Sequence, residues 1–158
     1  MKTSIEGRRA LITGAGSGIG RAVAQRLSEL GCDVVLVGRT GATLNETAAL
    51  CPGATKTVTC DLTDESSILA LAGYIRATGG LDILVNNAGI VQSGPLEGIS
   101  TEEFDAVMAT NVRAPFILMR ETLPLLKASP SPEIINVCSV VAHEGYPNQG
   151  AYVASKHA

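Results

Sequence analysis

Thr13-Gly14-Ala15-Gly16-Ser17-Gly18-Ile19-Gly20 is a glycine-dense octet set between two segments of different periodicity. Upstream, Arg9 to Thr13 is a short apolar run that reads as a strand. Downstream, Ile19, Val23, Leu27 and Leu30 recur at helical spacing and are expected to form the buried face of a helix, with Gly31 in the C′ role. Strand, glycine turn and helix in that order make a phosphate-cradling context. Glycines let the backbone approach a pyrophosphate, and the N–H groups at the positive end of the helix dipole stabilise its charge. The octet lacks the lysine of a phosphoryl-transfer loop. The alternative is a glycine-rich turn that binds nothing.

Working outward, the same alternation of strand and helix continues along the chain. Further strand candidates are Asp33 to Gly38, Thr55 to Cys60, Leu81 to Asn86 and Glu133 to Ser139. The second and fourth strands are continuous apolar runs, as expected of strands covered on both faces. A second helix ends at Ala48 to Leu50, and a third carries Ile68, Leu71, Ala72 and Ile75. A fourth runs from Phe104 to Met119, where Pro115 and Pro124 predict a kink or a break. A fifth begins near Gly150. Right-handed crossovers then predict an α/β fold, a Rossmann-type doubly wound parallel sheet in strand order 3-2-1-4-5, with a ligand crevice between the first and fourth strands. The 158 residues fit one domain.

Composition limits the partners. Twelve Lys and Arg against 15 Asp and Glu leave a net charge of −3, without the basic footprint that nucleic-acid binding needs. No apolar run approaches the length of a membrane helix. Arg8 and Arg9 interrupt the amino terminus before any export-signal core, so a cytoplasmic, membrane-free protein is expected. Cys32, Cys51, Cys60 and Cys138 have neither zinc nor redox spacing and are expected to be buried free thiols. No metal is expected.

Three further groups of residues carry chemistry. At the end of the second strand, where NAD-binding folds usually place an acidic residue, stand Gly38-Arg39-Thr40. A guanidinium there suits a 2′-phosphate, so NADP is favoured, NAD remains possible, and a solvated surface arginine is the alternative. The fourth strand runs into Asn86-Asn87-Ala88-Gly89, which is either a plain turn or a ligand-adjacent one. Tyr152 and Lys156 are four apart and share a helix face, with Ser139 at the end of the preceding strand. An ammonium near a tyrosine stabilises its phenolate and makes it useful as an acid or base. Alone, such a pair is equally a solvated helix face.

Together these residues resemble the short-chain dehydrogenase/reductase family along all 158 positions. TGAGSGIG, with Gly14, Gly16, Ser17, Gly18, Ile19 and Gly20, is similar to its cofactor turn. Asp61 and Leu62 resemble its adenine-contacting segment, and Asn87, Ala88 and Gly89 its structural motif after the fourth strand. Asn111, Ser139, Tyr152 and Lys156 resemble its catalytic tetrad. The resemblance implies that Tyr152 exchanges a proton with the substrate oxygen and Ser139 hydrogen-bonds that oxygen. Lys156 would hold the nicotinamide ribose and tune Tyr152, and Asn111 would anchor a water in a proton relay. It also implies a small-molecule carbonyl or alcohol substrate, and a homo-oligomer, dimer or tetramer, in the full-length form. Gln149, three residues before Tyr152, is similar to the 3-oxoacyl carrier-protein reductase branch.

Family members are about 250 residues long, the size of a complete doubly wound domain. The chain is therefore expected to be a fragment lacking the last two strands, with Ile134, Ile135 and Val137 on an unpaired edge. Two readings compete with an oxidoreductase. One is a non-catalytic NADP-binding sensor or assembly module; the other is an oligomerisation fragment using the apolar stretch Phe116 to Met119.

Overall fold

A computed structural model describes residues 5–158; residues 1–4, part of the amino terminus that bears on export, lie outside the described residues. Five parallel strands, β1 (Arg9–Thr13), β2 (Asp33–Gly38), β3 (Thr55–Thr59), β4 (Ile83–Asn86) and β5 (Glu133–Asn136), pair in the order β3-β2-β1-β4-β5. The helices are α1 (Gly18–Glu29), α2 (Gly41–Ala49), α3 (Glu65–Ala77), α4 (Thr101–Met108), α5 (Ala114–Ala128) and α6 (Gly150–His157). Parallel pairing of β1 with both β2 and β4 places the chain reversal of the topology at β1 and β4, as expected from the crossovers.

Alternation along the strands divides the core in two. Leu11, Val35, Val37 and Leu84 face Ile68, Leu71 and Ile75 of α3 and Ile117, Leu118 and Leu126 of α5. Ala10, Ile12, Val34, Leu36, Ile83 and Val85 face the other way, with Ala24 of α1 and Leu44 of α2. Both faces of β2 and β4 are therefore covered, which is why their apolar residues run without a break.

The structure corrects several boundaries. β3 ends at Thr59, β4 starts at Ile83 and β5 stops at Asn136, one to three residues inside the expected runs. In α1 the buried residues are Gly20, Ala24 and Ser28, not the Ile19 stripe; Ile19 and Leu30 are exposed. Small residues let this helix lie close to the sheet, and the larger Val23 and Leu27 pack at its flank. The fourth helical segment is longer than expected, spanning α4, a π turn at Ala109–Arg113 and α5. Pro124 lies inside α5 without ending it. Its position is exposed, so water can serve the carbonyl that proline leaves without a donor.

Within Phe116 to Met119, Ile117 and Leu118 are core and Phe116 is exposed. Cys32 and Cys60 are buried, Cys51 is half-buried, and Cys138 is exposed rather than buried. Burial, aided by the charges of Asp61 and Asp64, pushes the Cys60 thiol up to about 11, which makes it a poor nucleophile. Among the described residues no helix is long and apolar enough to cross a membrane.

Candidate active site

The glycine octet folds where the sequence places it, between β1 and α1, and its glycines are needed for different reasons. Gly14 has φ +67°, and a Cβ there would lie 2.9 Å from the Ala88 Cα. At Gly20 a Cβ would meet the Gly14 carbonyl oxygen at 2.3 Å, and at Gly16 the Thr43 hydroxyl at 2.5 Å. Gly16 and Gly20 thus let the turn pack against its neighbours. Gly14, Ser17, Gly18 and Ile19 line the open side, a cleft of about 370 Å³ completed by Arg39, Leu62, Asn87, Ala88, Gly89 and several backbone segments. That volume is within the range of about 300–1,000 Å³ usual for small-molecule sites.

Charge in the cleft has one sign. Among the described residues, Arg39 is its charged lining residue and no carboxylate lines it. The first turn of α1 carries no acidic residue, and Ser17 at its N-cap makes no side-chain cap bond. Asp61, expected among the cofactor contacts, is exposed beside the cleft and accepts from the Thr63 N–H at 2.9 Å and hydroxyl at 2.7 Å. Those two bonds, with a smaller contribution from Arg39, hold its carboxyl below the usual aspartate range.

Asn87 ties the two sides of the crevice together. Its Nδ2 donates to the Thr13 carbonyl at 2.9 Å and the Gly14 carbonyl at 3.4 Å. Thr13, missing from the sequence-based candidates, completes the tie: its buried Oγ1 accepts from the N–H groups of Asn87 and Ala88, both at 3.0 Å. Its signal in the sequence was only its place at the end of β1. The strand register is needed to set it opposite Asn87.

The π turn carries Asn111, whose side chain is fully engaged. Its Oδ1 accepts from the Ile90 N–H at 2.9 Å, while Nδ2 donates to the Ile90 carbonyl and the Ser155 hydroxyl, each at 2.9 Å. The Ser155 hydroxyl in turn donates a hydrogen bond to the Tyr152 carbonyl at 2.7 Å. Asn111 therefore joins the segment after β4 to α6, and Ser155 is a second residue that sequence reasoning missed. Lys156, one turn from Tyr152, donates Nζ to the Val137 carbonyl at 3.0 Å and lies 5.8 Å from the centroid of the Tyr152 ring. A Cβ at Gly89 would come within 3.4 Å of the Asn111 Oδ1 and 3.8 Å of the Lys156 Nζ. Gly89 is thus the point where the cleft meets these two residues. Ser139 caps the 3₁₀ turn Val140–Ala142, accepting from the Val141 N–H at 3.4 Å, and that turn packs on α6.

Comparison with known proteins shows the family of the chain. The family model described as short chain dehydrogenase matches residues 8–158. A gluconate 5-dehydrogenase of Gluconobacter oxydans is 35% identical across 98% of this chain and 62% of its own length. A 3beta-hydroxysteroid dehydrogenase of Mediterraneibacter gnavus is 40% identical across 94% of this chain and 55% of its own. L-xylulose reductase of Bos taurus is 38% identical across the whole chain and 64% of its own. The chain thus spans less than two thirds of these curated relatives. Among solved structures, a metagenomic short-chain oxidoreductase in complex with NADP superposes with a TM-score of 0.91 at 37% identity, over 98% of this chain and 72% of that one. A protein from Beutenbergia cavernae described as an NAD(P)-dependent gluconate 5-dehydrogenase by assignment only, with NADP bound at low occupancy, gives 0.89 at 37% identity, over 98% and 63%. With a family model matched from Arg8 to the last residue and a five-stranded sheet in the expected order, the chain belongs to the short-chain dehydrogenase family.

Proposed function

We propose that this chain carries the cofactor site and catalytic residues of an NADP-preferring oxidoreductase that interconverts a carbonyl and a secondary alcohol. The observation that carries the reading is the meeting at Gly89 of the Arg39-bearing cleft with Asn111 and Lys156. The residues present fit a phosphorylated dinucleotide: Gly14, Ser17, Gly18 and Ile19 would hold its pyrophosphate, and Arg39 its 2′-phosphate. NADPH, when bound, supplies the hydride for carbonyl reduction.

This chain's own residues would manage the proton. As the carbonyl π pair moves onto oxygen, the Tyr152 hydroxyl gives that oxygen its proton and Ser139 donates a hydrogen bond to it. Lys156 supplies the positive charge that favours the anion left on Tyr152. Its Nζ, held by the Val137 carbonyl, would also bind the nicotinamide ribose. Replenishment of the proton falls to the backbone of Asn111 rather than its amide. The amide is spent on Ile90 and Ser155, which leaves the backbone of Asn111 to anchor a relay water.

In the protein that carries these residues, Tyr152→Phe is expected to reduce ketone-dependent NADPH oxidation to background and to change NADPH affinity by no more than about twofold. Unchanged turnover would remove Tyr152 from the chemistry. Binding of NADPH without oxidation in the unsubstituted protein would make it a binding module instead.

A further inference from the structure

Behind the glycine turn, on the side away from Asn87, α2 presents a polar cluster that the glycine motif does not include. Thr47 is fully buried, and its Oγ1 donates to the Ala15 carbonyl at 2.9 Å, with the Thr43 carbonyl 3.1 Å away sharing the proton. Arg21 of α1 reaches the same place. Its Nε donates to Thr47 Oγ1 at 3.0 Å, and a terminal nitrogen donates to the Gly16 carbonyl at 2.6 Å and to Glu46 at 3.0 Å. Asn87 serves the Thr13 and Gly14 carbonyls from the opposite side. Each carbonyl from Thr13 to Gly16 therefore accepts from a side chain, and the next, that of Ser17, accepts the Arg21 N–H at 3.1 Å.

This accounting bears on a phosphate. In a trans peptide the C=O and N–H point in opposite directions, and the described residues contain no cis peptide bond. Drawing the Ala15 and Gly16 carbonyls toward α2 turns the N–H groups of Gly16 and Ser17 the other way. A turn whose carbonyls are all held offers an anion donors without competing acceptors. The fit to α2 is close, since a Cβ at Gly16 would strike the Thr43 hydroxyl. Arg39 lies two residues before α2 begins, so one helix positions both the turn and the cation of the cleft.

We propose that Arg21 and Thr47 are positioning residues for the dinucleotide, withdrawing the Ala15 and Gly16 carbonyls so that the turn presents only donors to the phosphates. The inference rests on the NADP reading given above. Thr47→Val keeps the shape and removes the hydroxyl; Thr47→Ser keeps the hydroxyl. Arg21→Met, at a half-exposed position, is a second variant if Thr47→Val fails to fold. Titration of each with NADPH and with adenosine, followed by amide chemical shifts in NMR, separates the phosphates from the rest of the ligand.

Thr47→Val and Arg21→Met are expected to weaken NADPH about tenfold, the scale of one unmade hydrogen bond, and to leave adenosine unchanged, with Thr47→Ser restoring the parent affinity. Unaltered NADPH affinity, or equal losses for NADPH and adenosine, would overturn the positioning role while leaving the NADP reading intact. Absence of any NADPH-dependent shift in the unsubstituted chain would overturn both.

Discussion

Arg39 is a residue whose meaning comes from its surroundings. It is the charged residue of a cleft with no carboxylate in its lining, and Asp61, the nearest candidate competitor, is turned to Thr63. Arg39→Asp is therefore expected to weaken NADPH more than NADH, by about 10- to 150-fold, equivalent to the roughly 1.5–3 kcal/mol of a charge-assisted hydrogen bond. Paired fluorescence titrations with the two cofactors check this, and equal losses would remove Arg39 from the 2′-phosphate site. At the same scale, the family resemblance offered Asn111 and Lys156 as candidates but did not reveal their partners. The Ile90, Ser155 and Val137 atoms they bond lie at sequence separations that no local pattern encodes.

Among the elements, α3 shows how a local rule sets a boundary and a pH response together. Asp64 is its N-cap, accepting from the Ser66 and Ser67 N–H groups at 3.1 Å each and from both hydroxyls. Those hydrogen bonds, the Ser66 hydroxyl's first, hold its carboxyl down at about 2 against an ordinary 3.8. A depressed carboxyl stabilises the fold above its unfolded value, and that contribution is lost as pH falls through the folded value. Asp64→Ala is thus expected to be less stable than the parent at neutral pH, with the gap closing between about pH 4 and pH 2. Urea denaturation across that range checks it; a gap independent of pH would show that the cap acts without its charge. The helix α1 shows the opposite case. Its apolar residues are legible as a stripe, yet the buried line is Gly20, Ala24 and Ser28, because close approach of the helix and the glycine turn to β1 favours small side chains over large ones.

At the scale of the whole molecule, the two-faced core leaves β5 at the edge of the sheet. Ile134 continues the face of Leu84 and Ile135 that of Val85, but they are 41% and 45% exposed. An edge with apolar side chains on both faces is where a further strand or another chain pairs. Ile135→Lys is expected to raise the concentration at which the chain begins to scatter light, while changing unfolding stability by about 0.5 kcal/mol or less, as for other exposed positions. Unchanged scattering would mean that association, if observed, uses another surface.

The sequence by itself determined the presence of five strands, the glycine turn and the order β3-β2-β1-β4-β5. Each of these follows from local periodicity, from glycine's conformational freedom or from the handedness of crossovers. Only the tertiary structure decided what lies behind and between them. It set Thr13 against Asn87, placed Thr47 and Arg21 on the carbonyls of the turn, and spent the Asn111 amide on Ile90 and Ser155. These are hydrogen bonds between distant segments, fixed by how helices pack on the twisted sheet, and a buried polar group takes whichever partner that packing brings within reach.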